Sequence, residues 1–134
     1  MKKLFVAVMA MAIMLGVLAP VVLQADTASA CALGLSPGYW KNHTEAWPVQ
    51  YSPDDNFDVV FGVTGNGDLT LIQALEGRGG GFIALNRLAV ASILNAHSVP
   101  DALSEAYVLM FVQHAYNYPE DCEYMKDVLE SNID

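Results

Sequence analysis

The segment from Phe82 to His97 constrains the fold more than any other part of the chain. Phe82, Leu85, Ala89, Ile93 and Ala96 recur at helical spacing, and Ala84, Leu88 and Ala91 make the opposite side apolar as well. A helix that is apolar almost all round has no face to turn to water. It must run through the middle of a domain, with other elements packed around it. Its alanines and Ser92 allow neighbouring helices to approach closely.

Three more helices are expected around it. Asp68 is a candidate cap for a helix running through Glu76, with Leu71, Ile72 and Leu75 on one side and Gly77 as its stop. Ser104 is a candidate cap for a helix over 104–116, whose inner stripe is Val108, Phe111, Val112 and Ala115. Pro119 opens a last helix, where its missing N–H is not needed. There Cys122, Met125, Leu129 and Ile133 repeat on the inner side, and Glu123, Lys126, Asp127 and Glu130 face water.

Residues 31–53 carry Pro37-Gly38, Pro48 and Pro53 and read as irregular, with Asn42 or Thr44 capping at most a short turn. Residues 54–67 are broken by Gly62, Gly65 and Gly67 and read as a loop with a brief extended piece. The expected fold class is therefore mainly α. It is a small domain of about four helices with an irregular, aromatic and glycine-containing N-terminal segment wrapped on it.

Ahead of this domain lies the pattern of a cleavable secretory signal. Lys2 and Lys3 precede a nearly continuous apolar run over 4–23, and Ala28-Ser29-Ala30 offers the small residues a signal peptidase reads. A retained membrane anchor is the rival reading, opposed by Pro20 and the Ala-Ser-Ala site. Cleavage divides the chain into a signal, 1–30, and one extracellular domain, 31–134. Lys2 and Lys3 are two of the six basic residues, and Asp26 is one of the fifteen acidic ones. Residues 31–134 thus keep four basic and fourteen acidic residues, a formal charge of −10. Such a surface repels phosphate backbones, which argues against nucleic acid as a partner. The expected location is secreted or cell-surface, with no membrane span after cleavage.

Cys31 and Cys122 are the two cysteines. In an exported protein they suggest one disulfide closing a long loop, worth at most about 4–5 kcal/mol. Two free thiols are the alternative. Lipidation of Cys31 is another, although Ala28 stands where a lipobox has Leu, Val or Ile.

The most distinctive stretch is Ser36-Pro37-Gly38-Tyr39-Trp40-Lys41-Asn42-His43-Thr44-Glu45-Ala46-Trp47-Pro48. It resembles the motif T-P-G-Y-W-K-N-H-P near the mature N-terminus of a group of exported bacterial and archaeal proteins. Leu88-Ala89-Val90-Ala91-Ser92-Ile93-Leu94-Asn95-Ala96 is similar to the alanine-rich helix ending in L-N that follows in that group. The resemblance implies an exported or surface domain, alone or attached to larger extracellular proteins, and names no chemistry. Ser36 and Thr44 replace the group's Thr and Pro. The second cysteine lies earlier than the group's Gly-Cys-Pro segment, so no disulfide pairing is carried over.

Candidate site residues follow from residue chemistry. Tyr39, Trp40, Lys41, Asn42, His43 and Trp47 form a possible interaction segment, since Tyr and Trp are common contact anchors. The structural reading sets Trp40 and Trp47 as pins holding the segment to the helices. Asn42-His43-Thr44 also matches a glycosylation acceptor. Asp54, Asn56 and Asp58 begin like a calcium loop, but Val59 and Gly65 stand where an EF-hand needs glycine and glutamate. They are weak calcium candidates or a solvated acidic loop. His43, His97 and His114 have no helical metal-site spacing. Glu76-Gly77-Arg78-Gly79-Gly80-Gly81 precedes a helix and reads as an anion-holding turn or a flexible one.

No motif frames a catalytic nucleophile, and no catalytic residue is assigned. The function that these observations favour is a non-enzymatic exported domain of cell-surface structure or protein interaction, without a required cofactor. A small extracellular protein binding glycan or metal is one alternative. An enzyme using Lys41, Asn42 and His43 is the other.

Overall fold

The computed structural model describes residues 34–133. These residues form a mainly helical domain. Its α-helices are α1 (Pro37–Asn42), α2 (Phe57–Phe61), α3 (Leu71–Glu76), α4 (Gly81–Ala96), α5 (Glu105–Asn117) and α6 (Cys122–Glu130). Short 3-10 turns at Thr44–Ala46 and Pro119–Asp121 follow α1 and precede α6.

The apolar helix is central, as its pattern requires. Every residue of α4 from Leu88 to Asn95 is buried, and α6, α3, α5 and α1 pack around it. Ala89 and Ala91 are fully buried, which lets these neighbours approach from several sides. Leu85, Val90, Ile93 and Leu94 have no exposure. Each such side chain contributes about 1.5–3 kcal/mol by leaving water. Val108 and Val112 of α5 and Leu129 of α6 complete the same core.

α3, α4, α5 and α6 correspond to the four helices expected. α1 and α2 arise inside segments whose prolines and glycines suggested irregular chain. Ser36 caps α1 by accepting the Tyr39 N–H at 3.2 Å, and Pro37 occupies the first helical position, where no N–H is needed. The Ser-Pro-Gly sequence therefore starts a helix. Likewise Asn56 caps α2 by accepting the Val59 N–H at 3.0 Å, and Gly62 ends it with φ at 68°.

α3 starts later than Asp68. Asn56 and Thr70 form an isolated antiparallel bridge that keeps the preceding chain extended. Thr70 then makes a capping box, accepting the Gln73 N–H at 3.2 Å while Gln73 Oε1 accepts the Thr70 N–H at 3.0 Å. Among the described residues no helix is long and apolar enough to cross a membrane. The apolar run over 4–23, the signal site at 28–30 and Cys31 lie outside the described residues.

Candidate functional site

The aromatic segment is anchored from within. Trp40 is 1% exposed, and its Nε1–H donates to Asn95 Oδ1 at 2.9 Å. The same oxygen accepts the Leu35 N–H at 2.9 Å, and Asn95 Nδ2 donates to the Leu35 carbonyl at 2.9 Å. Asn95 is thus a buried clamp that holds both the backbone ahead of α1 and the indole within it. Gly34 lies so close that a Cβ there would fall 2.3 Å from Asn95 Nδ2. Trp47 is also buried and donates its Nε1–H to the Trp40 carbonyl at 3.0 Å.

Lys41 and Asn42 are exposed, and Tyr39 and His43 are half-buried. Tyr39 and His43 stack at 4.2 Å with 15° between their planes. His43 Nδ1 meets the Tyr39 carbonyl at 2.8 Å, and since a carbonyl only accepts, Nδ1 carries the proton. Asn42 Nδ2 donates to the Gly38 carbonyl at 2.9 Å. Lys41 is exposed. These bonds are local to α1.

Two of the weak calcium candidates, Asn56 and Asp58, bond within the fold. Asn56 caps α2, and its Nδ2 donates to the Gly67 carbonyl at 2.9 Å. Asp58 accepts the Asn66 N–H at 3.0 Å and Asn66 Nδ2 at 2.6 Å. Asp54 is exposed. Among the described residues, no group of three or more His, Cys, Asp or Glu side chains is placed to hold a metal.

The three histidines have three separate partners. Besides His43, His97 Nε2 lies 2.7 Å from Glu105 Oε2, and His114 Nε2 lies 2.7 Å from Asp121 Oδ2. Tyr51 donates its hydroxyl to Glu105 Oε1 at 2.5 Å. Glu105 therefore ties the loop after Trp47 to the end of α4. The Tyr51 bond, helped by His97, holds the Glu105 carboxyl below its ordinary value against the opposing effect of burial. Burial first, and then the Glu105 carboxylate, push the Tyr51 phenol far above its ordinary range.

A second polar network was not visible in sequence. Asn66 Nδ2 donates to Tyr116 Oη at 2.9 Å, Tyr116 Oη donates to Asn86 Oδ1 at 2.7 Å, and Asn86 Nδ2 donates to Asn66 Oδ1 at 3.2 Å. This closed ring joins the loop after α2 to α4 and α5. Desolvation raises the Tyr116 phenol above its ordinary value, so its hydroxyl stays protonated. Residues of the ring line two cavities. One, of about 270 Å³, includes Gly62, Gln113 and Tyr116 in its lining. The other, of about 300 Å³, has Asn86 and Gln73 on its polar side and Leu69, Ala74 and Ile83 on its apolar side, with Arg78 also lining it.

Cys122 is buried at the start of α6 with no disulfide partner among the described residues, and desolvation raises its pKa. It faces inward as its helical spacing indicated. Its proposed partner Cys31 lies outside the described residues. No protein-family model matches the chain, and no curated protein or solved structure matches it.

Proposed function

We propose that this is an exported, non-enzymatic interaction domain of the cell surface, and that it meets its partner through the outward face of α5. One observation carries the reading. That face bears Tyr107, Met110 and, just beyond the helix, Tyr118, exposed by 55%, 50% and 53%. Ala106, Gln113 and Asn117 share the exposed side, so it carries no formal charge in a domain rich in acids. Uncharged surface with exposed Tyr and Met is the composition of interface cores.

The rings are held in place by their neighbours. Tyr107 stacks on Phe111 at 6.1 Å, and Tyr118 lies over His114 at 4.8 Å. Ordered aromatics lose little conformational freedom when they bind. In chain order the face is bracketed by Asp101 and Glu105 before it and by Glu120 and Asp121 after it. Charge complementarity therefore favours a protein partner with an apolar patch rimmed by Lys and Arg.

The test compares native cell-surface attachment of the wild type with that of Tyr107→Ser and Met110→Glu. Both variants are expected to melt within about 0.5 kcal/mol of the parent, as surface changes do, and to lose attachment. Attachment unchanged in both would overturn the reading. So would a stable dimer of the purified protein that Met110→Glu dissociates, because the occupant would then be a second copy.

A further inference from the structure

We infer that the cavity between α3 and the start of α4 binds a small organic carboxylate with a short apolar chain. This goes beyond the proposed interaction surface and is independent of it.

The polar atoms around the cavity divide into those that already have partners and those that do not. Gln73 Oε1 accepts from Thr70. The Gly77 carbonyl accepts from Arg87 Nη1 at 2.7 Å. Asn66 Oδ1 accepts from Asn86, and Asn86 Oδ1 accepts from Tyr116. Each of these lining acceptors is engaged. The donors are not all engaged. Asn86 Nδ2 has two N–H groups, and the ring uses one of them. Asn86 is 5% exposed, so its second N–H cannot turn to bulk water without moving the ring. Gln73, exposed and lining the cavity with its oxygen held by Thr70, has amide N–H groups that make no bond among the described residues.

Arg78 adds the charge. Among the described residues it makes no hydrogen bond or ion pair, whereas Lys126 is paired with Glu123 at 3.1 Å and with Asp127 at 3.3 Å. Arg87 is bonded to Gly77. No acidic residue lines the cavity, although acids outnumber bases fourteen to four in residues 31–134. A guanidinium beside two amide donors, with the acceptors already engaged, selects a ligand rich in acceptors and negatively charged. Leu69, Ala74 and Ile83 supply an apolar wall for the remainder of the ligand. At about 300 Å³ the cavity is at the small end of ligand sites, which limits the chain to a few carbons.

Hexanoate is a suitable probe, with hexylamine and hexanol as controls of matched chain length. In an NMR titration of the purified protein, hexanoate should shift the amide signals of Asn66, Gln73, Arg78 and Asn86 saturably. Arg78→Gln, a change at an exposed side chain without partners among the described residues, should keep the melt and weaken hexanoate by about tenfold. Hexylamine and hexanol should bind more weakly than hexanoate. Absence of saturable shifts with hexanoate would overturn the inference. So would hexanol or hexylamine binding equally well, or Arg78→Gln leaving the affinity unchanged.

Discussion

Asn95 and Trp40 are 55 residues apart in the chain, yet the Asn95 amide oxygen accepts the Trp40 indole N–H at 2.9 Å in the buried interior. The two segments that carry the sequence resemblance, the Tyr-Trp-Lys-Asn-His stretch and the alanine-rich helix, meet at this bond. Trp40 fills the core, and Asn95 supplies the one polar contact its ring needs.

The first prediction concerns stability. Trp40→Ala should cost about 3–5 kcal/mol, as other buried aromatic truncations do. Asn95→Leu leaves the Trp40 and Leu35 N–H groups and the Leu35 carbonyl without their partner. Each stranded group costs about 1–3 kcal/mol, less where water reaches it. Lys41→Ala should stay within about 0.5 kcal/mol. Denaturant melts of the three variants check this ordering; a Lys41 effect as large as that of Trp40 would contradict it.

A pH dependence follows from Glu105. Its folded pKa is below the ordinary value of 4.5, chiefly because Tyr51 donates to it. A depressed carboxyl contributes stability that is present above the unfolded pKa and disappears as pH falls through the folded one. Tyr51→Phe removes the donor. The variant should lose stability at neutral pH relative to the parent, and the gap should narrow as pH drops below about 4. Melts from about pH 2 to about pH 8, a span that brackets the carboxylate range on both sides, measure this. A gap that stayed constant into strong acid would show that the bond acts by packing alone.

Cys122 is predicted to be slow toward alkylation in the native state. Its thiol is 5% exposed and its pKa is raised by desolvation, so little reactive thiolate forms. Iodoacetamide should label it readily only in denaturant. The competing outcome is the Cys31–Cys122 bridge, seen as a linked peptide pair in mass analysis without reductant.

Export is checked at the N-terminus. The pattern Lys2-Lys3, apolar run and Ala28-Ser29-Ala30 predicts a native protein beginning at Cys31 or close to it. Terminal sequencing of the protein from its own cells gives the answer. Met1 retained on a membrane-bound form would favour the anchor, and a diacylglycerol on Cys31 would favour the lipoprotein.

How far the residues were legible depended on the range of their contacts. α3, α4, α5 and α6 follow from apolar spacing, because amphipathic periodicity is a property of neighbours three and four apart. Ser104 was readable as a cap for the same reason. Ser36-Pro37 and Asn56 have cap chemistry too, but α1 and α2, six and five residues long, lie among prolines and glycines that read as irregular chain. Helices that short are not stable alone and form through packing, here of Trp40, Phe57 and Phe61 into the core. Asp68 lost its expected role to Thr70 once the bridge to Asn56 set where the chain could turn.

By itself, then, the sequence determined a helical domain organised around 82–97, because an all-round apolar helix has no stable place except the centre. It also determined an inward Cys122 and an aromatic segment rich enough to serve as an anchor. Only the tertiary structure decided that Asn95 receives that anchor, that Asn66, Asn86 and Tyr116 close a ring, and that Arg78 lines a cavity beside the donors left over. A buried amide needs partners, but its own residue type does not name them. The path of the chain through space brings Leu35 to Asn95 and Tyr116 to Asn66, across separations of 60 and 50 residues.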